Sequence, residues 1–423
     1  MVMSRLGFFA HAEALQNREF RIYCIGQAIS LFGGGMQSVA LAWLTWRMLH
    51  SPMALAALAA ASSSTLFLFS YAGGHLADKL DRRRSLIVLE VLSVAQAFAL
   101  AAMQFWHAFS LPLVLTLAAI GGVLTALEFS SRQTFTSDLV GRGNLVSGRA
   151  IYMAIYSSTL ALGAAAASLM TWLWAPNGEM YCFVANGISY LFSLYAFSQI
   201  RSVPVEPAQT GSIGECIKFA FKNRLVFSTF AQTTVLVFFG IRLFPLLPMF
   251  ADKVLHSGAF GHGMLRVAWA VGSVLGSLAI AKSRTQTGLL RWATGALLAL
   301  PVVTALFGVS QRLVPSMLLL LFVAYLIYAH VTSCQSLLQL ESTPQLQGRL
   351  LGVRAMLVAI IDFIGAFAAG AAADLWGPQY TAYGCALLGL LFSIPLLISS
   401  LRANLSSLAH LPLYATVATI LRR

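Results

Sequence analysis

Stretches of about 20 apolar residues, the length that crosses the hydrocarbon core of a bilayer, recur along the entire chain. They fall near 22–47, 53–74, 85–105, 112–135, 146–174 and 178–199, and again near 224–249, 259–282, 288–309, 314–340, 353–374 and 379–401. In lipid, a segment must satisfy its own backbone hydrogen bonds, so these runs are helices. The expected fold class is an all-α membrane protein of about twelve transmembrane helices. Charged residues make up only 10% of the 423 positions, against about a quarter in soluble domains, which excludes a water-soluble core. The first run follows a polar segment and is too long for the apolar part of a cleaved signal, so it is expected to direct its own insertion.

A net charge of +13 raises the question of a nucleic-acid partner. The basic residues lie in short loops between apolar spans and form no single patch, so they read as topogenic charge. Of the 27 lysines and arginines, all but Arg47, Arg242, Lys253, Arg266 and Arg312 fall on the side of the two termini. The positive-inside rule then places both termini in the cytoplasm. Cys24, Cys182, Cys216, Cys334 and Cys385 show no paired spacing and read as packing residues. No Walker A loop, His-x-x-x-His pair or G-x-S-x-G elbow occurs in the sequence, so neither an enzyme nor a metal or other cofactor is indicated.

The longest polar break, 201–223, falls at mid-chain. It divides a six-helix unit at 22–200 from another at 224–401, with cytoplasmic segments at 1–21 and 402–423. RAIYMAIY at 149–156 recurs as RAMLVAII at 354–361, and LHSPMAL at 49–55 has a counterpart in LHSGAFGHGML at 255–265. Matches in the same order point to a duplicated unit. Duplicated bundles are how many secondary transporters make a midplane site open alternately to each side.

The loop between spans 2 and 3 reads GGHLADKLDRRRSL. Gly74 permits close helix approach, Asp78 stands at a helix end, and Arg82 and Arg83 follow a short turn. An acid so placed caps a neighbouring helix and pairs with a following arginine. Glu128 and Arg132 sit one helical turn apart at the inner end of span 4. By spacing alone they form a local i,i+4 pair.

This loop resembles the signature G-x-L-A-D-(R/K)-x-G-R-(R/K) of the major facilitator superfamily, with Asp81 in place of the second glycine. The replacement is similar to the ADRFDRR form of a bacterial efflux branch that includes enterobactin exporters and macrolide- or tetracycline-type pumps. NREFRIYCIGQAISLFG (17–33), EFSSRQTFTSDLV (128–140), LPMFADKVLHSGAFGHGML (247–265) and QGRLLGVRAM (347–356) resemble other segments of that branch. The chain departs from it in having Gly33-Gly34-Gly35 where an acid is frequent, Gly163-Ala164 where Gly-Pro is frequent, and Gln347 for an arginine. The resemblance implies two pseudo-symmetric six-helix bundles around a central cavity, working by alternating access, with Glu128 reaching Arg82 in a cytoplasmic gate instead of the local pair. It implies a monomer in the bacterial inner membrane that exports a small amphiphilic metabolite, such as a siderophore or drug, with the proton as coupling ion. Solute uptake or lipid translocation on the same scaffold, or a non-transporting sensor or partner subunit, are the alternatives.

Several intramembrane polar residues are candidates for the transport site. Asp362, nine residues into span 11, is the candidate coupling acid, the alternative being a structural hydrogen bond. Arg242 and Arg266 either face the cavity and favour an anionic solute or snorkel to the headgroups; Pro245 and Pro248 suggest a hinge beside Arg242. Gln37, Tyr328 and His330 complete the candidate cavity, His330 being equally a packing residue. Trp43 and Trp46 read as cavity lining or as an interfacial belt, and Glu90 as an interfacial partner of the loop arginines.

Overall fold

The computed structural model describes residues 15–62, 64–65, 82–140, 145–200, 213–280, 285–342 and 344–408, with the backbone alone at some positions. Among these there is no strand. The first half comprises α1 (Arg18–Leu49), α2 (Pro52–Ser62), α3 (Arg82–Phe105), α4 (Leu111–Val140), α5 (Leu145–Leu173) and α6 (Gly178–Ser198). A short helix, α7 (Ile213–Lys222), precedes the second half. There α8 spans Arg224–Val254, followed by α9 (Gly258–Ile280), α10 (Gln286–Val309) and α11 (Leu313–Glu341). The run Pro344–Leu408 is broken at Gly377, where φ is +84°, into α12 (344–376) and α13 (378–408). Ten of these stretches are long and apolar enough to cross a membrane, the tenth being the broken pair. α2, a shorter apolar helix, stands where the second span is expected.

The two halves begin alike. Asn17 caps α1 by accepting from the amides of Glu19 and Phe20 at 2.9 and 3.3 Å, and Asn223 caps α8 from Leu225 and Val226 at 3.0 and 3.2 Å. Each first helix also ends in a left-handed histidine, His50 (φ 47°) and His256 (φ 49°), in the repeated Leu-His-Ser turn. Part of the stretch expected as linker is helical. α7 presents an apolar side on which Ala220 packs in a cluster with Val226, Leu338 and Leu350.

Within the first half, α1 packs on α5 and α6, and α3 on α4 and α6; within the second, α11 packs on α9 and α10. Small residues set these distances, as in membrane bundles generally. A Cβ on Gly163 would run into the Phe32 carbonyl and stand 3.1 Å from the Gly35 Cα, so α1 and α5 touch backbone to backbone. Gly163→Ala should therefore lower stability by about 1–3 kcal/mol, the usual cost of overpacking. Gly34→Ala, with nothing within 4 Å of the added atom, should be neutral or stabilising. Thermal unfolding in detergent compares the two, and equal midpoints would refute the close contact.

The halves join at the end of the bundle remote from the termini. Trp46 Nε1 donates to Asp252 Oδ2 at 3.0 Å, and Trp43 stacks on His262 with ring centroids 6.0 Å apart. Along this seam α5 packs on α9, where Gly263 lies against Ser168, and Gly370 of α12 lies against Ala56 of α2. Trp43, Trp46 and Leu55 belong to the same buried core as Leu246, Phe250 and Trp269. The outward faces carry Val88, Val91, Leu92, Leu318 and Phe322, all exposed. An apolar surface this continuous needs lipid against it.

Candidate functional site

Arg242 owes its place to the local sequence. α8 is helical over Arg224–Val235, passes through a π turn (Leu236–Gly240), and resumes at Leu243–Met249 before a second π turn (Phe250–Val254). Pro245 has no N–H to return to Ile241, and Pro248 none for Phe244, so the helix cannot run straight through this stretch. Arg242 sits in the break and is 1% exposed. Its Nη1 donates to the Asp362 carbonyl at 3.0 Å, and its Nη2 pairs with the Asp362 carboxylate. Gly365, one turn on, leaves room for the guanidinium: a Cβ there would stand 3.1 Å from Nη1. Arg242 therefore does not snorkel, and the candidate coupling acid already faces a cation. The two tie α8 to α12.

Arg266 has a different environment. Its Nη2 donates to Ser38 Oγ of the first half at 2.8 Å, and its guanidinium lies over the Phe244 ring, 4.1 Å from the centroid. Phe244 in turn contacts Trp269, ring centroids 4.8 Å apart. Tyr328, 37% exposed, interacts with Arg266 and Trp269, and Tyr156 of α5 interacts with Tyr328 across the halves. Arg266 is half-buried and Ser38 exposed. A cation among aromatic rings, shared between the halves and partly open, is able to hold an amphiphilic anion.

The third place is a charged set inside the first half. Arg132 Nη2 reaches Glu128 Oε2 at 2.9 Å and Glu90 Oε1 at 3.0 Å. Glu128 Oε1 accepts from Ser93 at 2.8 Å; Glu90 Oε1 accepts also from Ser193 at 2.7 Å and from Gln27 at 3.4 Å. All three ionisable groups are buried, Glu90 completely.

The family model described as transmembrane secretion effector matches residues 10–417. The chain belongs to this family. Among characterised relatives, the multidrug efflux pump Tap of Mycolicibacterium fortuitum is 25% identical over 382 residues, 86% of this chain and 91% of Tap. The staphyloferrin A transporter of Staphylococcus aureus is 20% identical over 273 residues, 63% of this chain and 68% of that one. In fold, it is similar to the nucleoside transporter NupG (TM-score 0.73, 12% identity, 90% of this chain and 99% of that one). It is similar also to an inward-facing bacterial homologue of the human lysosomal transporter Spinster (TM-score 0.69, 13% identity, 92% and 97% covered). These are major facilitator transporters, and this chain has their fold: it is a multi-pass membrane transporter acting on small molecules, not an enzyme.

The remaining residues singled out from the sequence are dispersed. Gly74 and Asp78 lie outside the described residues, as does the side chain of Arg82, which opens α3. Arg83 donates Nε–H to the Phe197 carbonyl of α6 at 2.8 Å. Glu128 takes the local i,i+4 partner, Arg132, in this structure. Two cavity candidates need correction. His330 is fully buried, its Nδ1 2.8 Å from the Ala293 carbonyl and its Nε2 3.4 Å from Cys334 Sγ, so it packs α11 on α10. Gln37 is held at both ends inside its own half, donating to Gln96 at 3.1 Å and accepting from Asn186 at 2.8 Å. Glu90, read as interfacial, is instead buried in the interior of the first half. An acid within the apolar run IVLEVL is itself the signal that the residue is costly and therefore partnered.

Proposed function

We propose that this transporter exports a small amphiphilic anion across the bacterial cytoplasmic membrane in exchange for protons, as a monomer with both termini in the cytoplasm. The observation that carries this reading is Arg266: a partly open cation over Phe244, bonded to the opposite half and flanked by Trp269 and Tyr328. Guanidinium and rings together suit an organic anion with apolar surface. Similarity to a multidrug pump and to a staphyloferrin A transporter favours export of a drug-like or siderophore-like solute.

Inside-out membrane vesicles test the reading directly, with staphyloferrin A as an anionic probe and tetraphenylphosphonium as a cationic one. The anion should accumulate on acidifying the lumen, stop with a protonophore, and fall at least about tenfold in Arg266→Gln, a loss of the size expected for one charge-assisted contact. Accumulation in right-side-out vesicles alone would establish uptake instead. Orientation is checked with single cysteines at Ser212 and Gln311. An impermeant thiol reagent on intact cells should label only position 311, and labelling of position 212 would overturn the topology.

A further inference from the structure

Two carboxylates and one guanidinium share the interior of the first half, and their hydrogen bonds are distributed unevenly. Both oxygens of Glu128 are engaged, Oε1 by Ser93 and Oε2 by Arg132. Glu90 puts all its contacts on Oε1, which faces Arg132, Ser193 and Gln27 at once. Its Oε2 is buried and has no donor among the described residues, and the same holds for the carbonyl oxygen of Gln27, whose amide nitrogen reaches Oε1. Acceptors left orphaned in an apolar interior cost far more than satisfied ones. A single proton changes this, because a protonated carboxyl becomes a donor.

Charge leads to the same atom. The charged groups acting on Glu90 are Arg132 and Glu128, both from α4. The other neighbours are neutral: Gln27 from α1, Ser193 from α6, and the phenol of Tyr190 from α6. Tyr23 from α1 and Tyr152 from α5 attend Arg132. With both acids ionised, the set holds a surplus negative charge where Glu90 is 0% exposed, a costly arrangement. Arg82, on the same helix as Glu90, lies two turns away, about 12 Å along the axis. Arg132 Nε also has no acceptor, so a grip by both its nitrogens on a charged Glu90 is the competing arrangement.

We propose that Glu90 is a proton-binding residue of the carrier, holding one proton on Oε2 while Arg132 is shared with Glu128. Two acids sharing one cation titrate as a pair, and the free oxygen decides which of them takes the proton. The inference rests on the reading that transport is proton-coupled, and adds where the proton is held. A carboxyl buried among α1, α3, α4 and α6, the helices of one bundle, is loaded or unloaded when their packing changes. It also meets the requirement that Asp362 does not meet alone, since Arg242 already supplies Asp362 with a compensating charge.

Infrared spectroscopy of the purified, reconstituted full chain at neutral pH tests this without any solute. A carbonyl band of a protonated carboxylic acid should be present, absent in Glu90→Gln, and displaced in frequency by Glu90→Asp. It should also vanish in Glu128→Gln, where Arg132 is left to Glu90 alone, and persist in Asp362→Asn. No band in the wild type, a band surviving Glu90→Gln, or one displaced by Glu128→Asp instead would overturn the assignment. Proton-driven transport in vesicles without the band would defeat this inference and leave the proposed function intact. The band without proton-driven transport would do the reverse.

Discussion

Asp362→Asn is expected to unfold at much lower temperature than the wild type, and Arg242→Gln/Asp362→Asn to recover most of the loss. Removing the acid strands Arg242, 1% exposed, as a buried cation without a counter-ion. Breaking one partner of a buried pair typically costs about 3–5 kcal/mol, whereas replacing both is often close to neutral. The remaining bond from Arg242 to the Asp362 carbonyl at 3.0 Å carries no charge compensation. Thermal unfolding of the two single variants and the double variant, with vesicle transport measured alongside, separates the roles open to Asp362. As a strut between α8 and α12, it should give a double variant with proton-driven accumulation restored. If the double variant is stable yet transports only down the solute's own gradient, Asp362 is itself part of the coupling.

The largest effect on the transport cycle should come from Gly263→Leu. The seam between α5 and α9 closes with Gly263 against Ser168, and even a Cβ there would stand 2.9 Å from the Ser168 Cα. A leucine cannot be accommodated without parting the halves at this end, where Trp46 and Asp252 also meet. Rigid bundles respond by rocking apart, so the variant should reside in the opposite conformation and transport poorly while folding normally. A cysteine at Ser168 reports the change. It is buried in the closed form and should react at least about tenfold faster with a thiol reagent in the Gly263→Leu background, a shift of at least about 1.4 kcal/mol in a two-state equilibrium. Unchanged reactivity would show that the seam accommodates the added bulk.

Helix number was legible in the sequence because apolar length is a local property, and the repeated Leu-His-Ser turn because its backbone is set by a few adjacent residues. The site was legible only as a set of polar residues in apolar runs. Their orientation depends on partners far along the chain: Trp46 and Asp252 are separated by 206 positions, and Arg242 and Asp362 by 120. Gln37 and His330 were expected in a cavity because a polar residue in a span must be satisfied by something. Here that is a neighbouring helix, a choice that periodicity does not encode. Gly163-Ala164 and Gly33-Gly34-Gly35 read only as departures from the efflux branch, yet Gly35 and Gly163 meet at a contact between helix backbones. Glu90 was visible as an acid in an apolar run, but its depth could not be judged before α1, α4 and α6 were in place around it.

α5 touches its own bundle through Gly163 and the opposite bundle through Ser168, so a single rod bears on both sides of the moving joint. Changes along such a rod are felt simultaneously by the stability of one half and by the balance between the carrier's two orientations. Variation that alters which solutes are carried, without disabling the machine, should therefore accumulate away from α5. The rings around Arg266 on α8, α9 and α11 are the natural place for it. Selection under a new toxic compound would be expected to find its first substitutions there, and to leave Gly163 and Ser168 of α5 untouched.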